Sequence, residues 1–488
     1  MLATFSNAAM VASAGIGASI VVPVLLQSYL FVAESGEIDV AASYAHWRTI
    51  SIVLCLFCFF GILLEYYFTR ERITEENVNL NIIDEMMVSA KTCAGMEINM
   101  KSTLRRTWAE IDLDALAHNY KTLRKRIGDN VKFLGVVKAD AYGHGSVQVS
   151  RLLEERGADY LAVSSIDEAI ELRHNGITMP ILILGHTPKE EVGELIKNNI
   201  TQAVTCKAKA LEYSEEAVKY GGILKIHIKV DTGMSRLGYL CDGEYFDSGV
   251  EGICEGCLLP GLMPEGIFTH FAVSDEQGDE CKAYTKHQFE LFTSVIDAVE
   301  KKLGRKFAIR HCANTGAVAR YPETWLDMVR PGLLLYGYGE FANELDLKPV
   351  MSLKTTVSTI KTYPQGTAIS YGGIYKTDKT TRIGVVPYGY ADGFFRCLSN
   401  RYELMTSEGL APQRGKICMD MCMIDLTDKT GVDVGSEVEI FGKKNPIEKM
   451  AKMAGTIPYE LTCAVSKRVP RKYIKNGEVV EQELMLRG

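Results

Sequence analysis

The sequence predicts an α/β protein: a (β/α)8 TIM-type barrel followed by a C-terminal all-β domain, the two preceded by a pair of transmembrane helices. Three observations carry this expectation. Eight short apolar runs lie between residues 131 and 336, several of them followed by helical periodicity. After about Phe341 the texture turns to alternating, β-branched, turn-rich sequence. The first 64 of 488 residues hold only four charged side chains (Glu34, Glu37, Asp39, Arg48), although the whole chain is 24% charged and 47% hydrophobic.

The front of the chain divides into two apolar runs. Met1–Ala33 carries no charge, and 8–33 is long enough to span a bilayer at about 1.5 Å per residue. The second span, about 49–68, centres on Ile50–Leu64, with Tyr44 and Trp47 before that run and Tyr66, Tyr67 and Phe68 after it as an aromatic belt. A cleaved signal peptide needs a positive start, and none precedes Ala8. Arg70, Arg72, Lys101, Arg105 and Arg106 follow the second span, so the expected protein is a multi-pass cell-membrane protein with its body in the cytoplasm. Its 13 cysteines then read as small hydrophobes; Cys254-Glu-Gly-Cys257 is a lone C-x-x-C, and no metal site is expected. Residues 69–103 read as a linker. A net charge of −7 argues against a nucleic-acid partner.

The barrel is expected over 104–345. Its candidate strands are Val131–Val137, Tyr160–Val163, Ile181–Leu184, Ala203–Val204 with neighbours, Leu224–Val230, Gly266–His270, Ala308–His311 and Val329–Tyr336. Asp167–Arg173 and Gln288–Lys302 have helical periods, and Ser165-Ile-Asp-Glu168 supplies a capping box at a helix start. The β domain, 346–488, rests on Leu353–Ile360, Arg382–Pro387, Ile424–Leu426 and Glu437–Phe441.

The local motif with most chemistry is Val136-Val-Lys138-Ala-Asp-Ala-Tyr142-Gly-His144-Gly145. Barrel enzymes place catalytic groups at the C-terminal ends of strands, and a lysine desolvated there has the lowered pKa that makes its amine nucleophilic. On spacing alone, a lysine snorkelling from a strand end explains the motif equally well.

That motif resembles the pyridoxal-phosphate lysine signature of bacterial alanine racemases. The resemblance runs from about Arg106 to Tyr473 through further stretches in the family's order. They are Trp108-Ala-Glu-Ile-Asp-Leu113, Lys229-Val-Asp-Thr-Gly-Met-Ser-Arg236-Leu-Gly238, His270-Phe-Ala-Val-Ser-Asp-Glu276, His311-Cys-Ala-Asn314-Thr315 and Val329-Arg330-Pro-Gly332. Later come Ser370-Tyr371-Gly372, Pro387-Tyr-Gly-Tyr-Ala-Asp-Gly393, Ile417-Cys-Met419-Asp420-Met421 and Arg468-Val-Pro-Arg471.

The resemblance implies a fold, a cofactor and a set of roles. Lys138 holds pyridoxal 5'-phosphate and acts as one of two bases at Cα; Tyr371 is the base on the opposite face. A free phenol, with a pKa of about 10, is a poor base at neutral pH, and His270 and Arg330 match the residues that support it. Arg330 also donates to the pyridine nitrogen, and Arg236 contacts the cofactor's phenolic oxygen and the substrate. Tyr142, Thr315, Gly332 and Tyr459 hold the phosphate, and the backbone N–H of Met419 binds the substrate carboxylate. Lys229 matches a position carbamylated in some members. Thr315 stands where serine is usual. His144 and His311 carry no assigned role beyond packing or supporting hydrogen bonds. Family folds bring Tyr371 and Met419 from the partner subunit, so a homodimer with shared sites is implied.

The implied product is D-amino acid for peptidoglycan. A racemase body behind membrane helices resembles the membrane-bound serine or alanine racemases of vancomycin-resistance clusters, which leaves serine as the alternative substrate. Serine-preferring relatives tend to carry asparagine at the position of Tyr459, so alanine is expected here. A non-catalytic pyridoxal-phosphate binding protein would lack Tyr371 and the β domain. A decarboxylase of the related barrel family would carry a cysteine motif that is not seen.

Overall fold

The computed structural model describes residues 106–484. Eight strands form a closed parallel barrel in chain order: Lys132–Val136, Tyr160–Val163, Ile181–Ile183, Ile200–Val204, Leu224–Asp231, Leu262–Phe268, Ile309–His311 and Met328–Val329. Neighbouring strands pair in parallel, all but the last two with each other, and Met328 returns to Lys132. Asp327 N–H to Arg310 O (3.1 Å) and Arg330 N–H to Ala313 O (2.9 Å) tie the last two strands together. The strands read as nearly unbroken apolar runs because both faces are buried, one by the barrel interior and one by helices.

The eighth strand is shorter than its sequence suggests. It ends at Val329, and Leu333–Tyr336 is a 3-10 helix. Pro331 has no N–H for a sheet ladder, so the pairing stops there. The capping box forms: Ser165 Oγ accepts from Glu168 N–H, and Glu168 accepts from Ser165 N–H.

The second sheet has ten strands, mostly antiparallel, drawn largely from the C-terminal third. Its surprise is Thr107–Asp112, which lies between Met351–Thr356 (antiparallel) and Arg471–Lys475 (parallel). The run expected over Leu353–Ile360 is two strands, Met351–Thr356 and Thr359–Tyr363, with different partners. The all-β description also needs correction, because Ile447–Ala454 and Pro458–Cys463 are helices; Pro458 opens the second, where its missing N–H costs nothing. Arg471 is 2% exposed and stitches this region to the barrel. It donates to Gly143 O (3.2 Å), Val465 O (2.7 Å), Ser466 O (2.7 Å) and Val469 O (2.6 Å).

The expected multi-pass membrane protein is not supported. Among the described residues no helix is long and apolar enough to cross a membrane. Asp279–Leu303 has the length, at 25 residues, but it is amphipathic, with Lys282, Lys286, Glu290 and Lys301 along it. The helices expected at about 8–33 and 49–68, and the linker at 69–103, lie outside the described residues. Cys254 and Cys257 are free thiols buried on the helix Phe246–Leu258, and burial pushes Cys257 up to about 12.

Candidate active site

Lys138 follows the first barrel strand, at the strand's C-terminal end. The next four residues, Ala139 to Tyr142, all have φ between 51° and 55° and ψ between 38° and 51°, a single left-handed helical turn. Such a turn costs about 1–2 kcal/mol per residue for L-amino acids, so the surroundings must enforce it. Glu168 does part of this: its carboxylate accepts from Ala139 N–H (2.6 Å) and Ser164 N–H (2.7 Å). Asp140 accepts from Ser146 N–H at 2.8 Å, and burial raises its carboxyl to about 6. The turn leaves Lys138 largely buried, and desolvation, then the nearby Arg236 charge, lower its pKa, with Glu168 pulling the other way.

Arg330, 4% exposed, sits at the end of the eighth strand. One Nη donates to His311 Nδ1 (2.8 Å); the other donates to Thr269 O (2.8 Å), Cys312 O (3.1 Å) and His270 Nδ1 (3.3 Å). Among the described residues nothing accepts from its Nε. Burial lowers its pKa to about 10, which leaves it charged at neutrality. Burial first, then Arg330 and Lys229, push His270 well below the ordinary imidazole range. It is therefore neutral, with Nδ1 accepting from Arg330 and its proton on Nε2. Lys229 lies beside them, donating to Val230 O (3.0 Å) with its amine 5.3 Å from the Phe268 ring centre. Arg236 is exposed at the rim, within electrostatic reach of Lys138, Lys229 and His270.

Tyr142, Thr315, Gly332 and Tyr459 gather at the other end. The Tyr142 and Tyr459 ring centres are 5.3 Å apart, and Gly332 N–H donates to Thr315 Oγ1 (3.0 Å). A Cβ on Gly332 would come to 3.1 Å from the Tyr142 hydroxyl and 3.4 Å from Thr315 Oγ1, so glycine keeps that cradle open. A cavity of about 880 Å3 opens beside it, with Thr315, Tyr459, Asp275 and Ile457 in its wall. These residues suit pyridoxal phosphate: a desolvated amine, a cationic donor with an unused Nε, and hydroxyl and amide donors around a space kept free for a phosphate.

Tyr371 and Met419 are elsewhere. Both belong to the β domain, exposed by 68% and 52%. Their loops touch, since Ser370 Oγ donates to Lys416 O at 2.7 Å. Among the described residues no hydrogen bond links either to Lys138, His270 or Arg330. The Met419 loop is held by Ala391 N–H on Met419 O (3.0 Å) and by Arg468, which pairs with Asp420 (2.7 Å) and the buried Asp392 (3.3 Å). Met419 N–H makes no hydrogen bond among the described residues. Sequence reasoning found Glu168 only as a helix cap; its second task, on Ala139 N–H, depends on a turn whose handedness no residue type announces. His227 and Glu265 went unnoticed altogether.

A parallel barrel with a desolvated lysine at a strand end, a glycine-kept gap lined by hydroxyls and a buried arginine is an arrangement suited to a cofactor-dependent enzyme. Comparison with known proteins narrows the class. Residues 111–340 match the family model for the alanine racemase N-terminal domain and 350–473 that for the C-terminal domain. An alanine racemase 2 of Caldanaerobacter subterraneus subsp. tengcongensis is 43% identical over 389 residues, 78% of this chain and 98% of the relative. The alanine racemase of Clostridium tetani is 46% identical over 386 residues, 77% and 97% respectively. Among solved structures, an alanine racemase of Clostridium difficile superposes with TM-score 0.74 at 39% identity, covering 79% of this chain and 100% of that one. One from Bacillus anthracis with bound L-Ala-P gives 0.72 at 35% identity, covering 79% and 99%. The chain belongs to the alanine racemase family, whose members depend on pyridoxal phosphate.

These matches also correct the membrane expectation from a second side. Three-quarters of this chain accounts for nearly the whole length of the relatives, so the likeness rests on the barrel and β domain and lends nothing to a multi-pass membrane location. None of the proteins named above is a serine racemase, and the likeness to vancomycin-resistance racemases gains no support from them.

Proposed function

We propose that this chain interconverts L- and D-alanine with pyridoxal phosphate, by a two-base mechanism in a site shared between two subunits. The observation that carries the two-base reading is the division of the site. Lys138, His270 and Arg330 gather at the barrel mouth, while Tyr371 and the Met419 N–H stand on the β domain with no hydrogen bond to them among the described residues.

Racemisation removes a proton from one face of Cα and delivers one to the other, so two groups must stand on opposite sides. Bound pyridoxal phosphate makes that proton labile by withdrawing electrons from Cα. Lys138 would hold the cofactor and serve as the base on one face of Cα; its lowered pKa favours the neutral amine this requires. Tyr371, from the partner subunit, exchanges the proton on the other face. Its phenolate needs a donor, and His270 offers Nε2–H because Arg330 occupies Nδ1. Arg330, with its Nε unused, would donate to the cofactor's ring nitrogen, and a charged guanidinium there would keep that nitrogen unprotonated. Tyr142, Thr315, Gly332 and Tyr459 hold the phosphate, Arg236 steadies the phenolic oxygen and the substrate, and Met419 N–H takes the substrate carboxylate. Tyr459, packed on Tyr142, fills room beside the small side chain and favours alanine.

The test is solvent-proton exchange followed from each enantiomer separately. Tyr371→Phe should slow loss of the α-proton from one enantiomer by on the order of a hundredfold or more, the size of a general base's contribution, and affect the other far less. Equal loss from both would sink the assignment.

A further inference from the structure

The barrel interior holds a line of polar side chains that this mechanism does not use. Arg330 donates to His311 Nδ1 at 2.8 Å; His311 Nε2 lies 2.9 Å from His227 Nδ1; His227 Nε2 lies 3.3 Å from Glu265 Oε2. Tyr160 O–H donates to that same oxygen at 2.5 Å. Both histidines are fully buried, and Glu265 keeps 22% of its side chain exposed. The line thus runs from the site to the edge of the barrel core.

Its proton order follows from one fact: a guanidinium only donates. His311 Nδ1 must accept, so a neutral His311 carries its proton on Nε2 and donates to His227 Nδ1. His227 in turn has its proton on Nε2 and donates to Glu265, the one group in the line that only accepts. No other neutral arrangement satisfies all three contacts. We propose that Glu265, acting through His227 and His311, is a positioning residue for Arg330, fixing the tautomer that gives the guanidinium its acceptor. Without the carboxylate, His227 gains nothing from a proton on Nε2. If it shifts to Nδ1–H, His311 Nε2 becomes the acceptor and an N–H faces the arginine instead.

Two further features keep the rings in place. The His311 ring stacks on Phe268, centroids 4.8 Å apart and 8° from parallel. A Cβ on Gly266 would lie 2.6 Å from two atoms of the His227 imidazole, so the strand carries glycine where that ring passes. Burial lowers the pKa of both histidines and Arg330 adds to it, against the upward pull of Glu265 on His227, in keeping with neutral rings.

The kinetic consequence rests on the racemase reading; the proton order does not, and the two are measured apart. Histidine-nitrogen NMR on the full, cofactor-loaded chain, assigned with His227→Asn and His311→Gln, should show both rings neutral and protonated on Nε2 across the neutral range. Glu265→Leu should move the His311 nitrogens toward the other tautomer and lower kcat on the order of tenfold, the net worth of one hydrogen bond, with KM unchanged. Glu265→Gln, whose amide oxygen still accepts, should restore both readings. A wild-type ring protonated on Nδ1 or cationic would overturn the proposal without any variant. So would unaltered His311 nitrogens in Glu265→Leu. A chain that shows the Nε2 protons yet does not racemise alanine would refute the function and leave the proton order standing.

Discussion

Lys229 shows how far a single buried charge is governed by its setting. Its amine lies in the barrel core against Phe268, and burial, then the charges of Arg330 and Arg236, bring its pKa from 10.5 down to about 7, against the opposing pull of Asp231. The sign of the consequence follows from linkage. Between about 7 and 10.5 the unfolded chain holds a proton here that the folded chain does not, so this residue makes stability rise with pH across that window. Below about 7 the cost of the buried ammonium is present in full. Lys229→Met should therefore be more stable than the parent near neutrality, the difference shrinking as pH rises; urea midpoints at several pH values measure it. A difference independent of pH would mean the amine titrates normally. Carbamylation, which the family resemblance implies for this position, would relieve the same cost by placing an anion between the two guanidinium groups.

At the scale of elements, the left-handed turn Ala139–Tyr142 does most to shape the site, and four such residues cost roughly 4–8 kcal/mol if nothing holds them. Glu168 holds the first of them by accepting from Ala139 N–H. Glu168→Ala should then destabilise the protein by about 0.5–1.5 kcal/mol, the net worth of a solvent-accessible hydrogen bond, and lower kcat through a misplaced Lys138. Glu168→Gln, which keeps one acceptor, should fall between; thermal melts and turnover together check both. This element also marks where sequence reading stops. Most of the barrel strands were legible because they are apolar runs buried on both faces, and the role of the motif around Lys138 through its family resemblance. The handedness of the turn was not, since only one of its neighbours, Gly143, is a residue that favours positive φ. Nor was the fate of Thr107–Asp112. Trp108-Ala-Glu-Ile-Asp alternates like any half-buried strand, and its choice of the C-terminal sheet is settled by partners more than 230 residues away, Met351–Thr356 and Arg471–Lys475. The helix Pro458–Cys463 was hidden by its brevity, at six residues less than two full turns.

At the scale of the whole molecule, the division of the site makes a prediction that no single subunit can satisfy. In one chain Lys138 sits at the barrel mouth, whereas Tyr371 and Met419 lie together on an exposed face of the β domain with Met421 and Ile374 beside them. Exposed apolar side chains of this kind are what an interface covers. In a two-fold dimer the same contact occurs twice, so each barrel mouth receives the other subunit's tyrosine. Lys138→Ala and Tyr371→Ala homodimers should both be inactive. Mixed and allowed to exchange subunits, they form heterodimers in which one site joins both defects and the other has neither. With random exchange about half the dimers are hybrids, each with one good site of two, so activity should recover to about one quarter of the wild-type value per subunit. A site built within one chain cannot behave this way, because every subunit then carries its own defect whatever its partner. Mixtures that stay inactive after proven exchange would place Tyr371 back beside the Lys138 of its own chain.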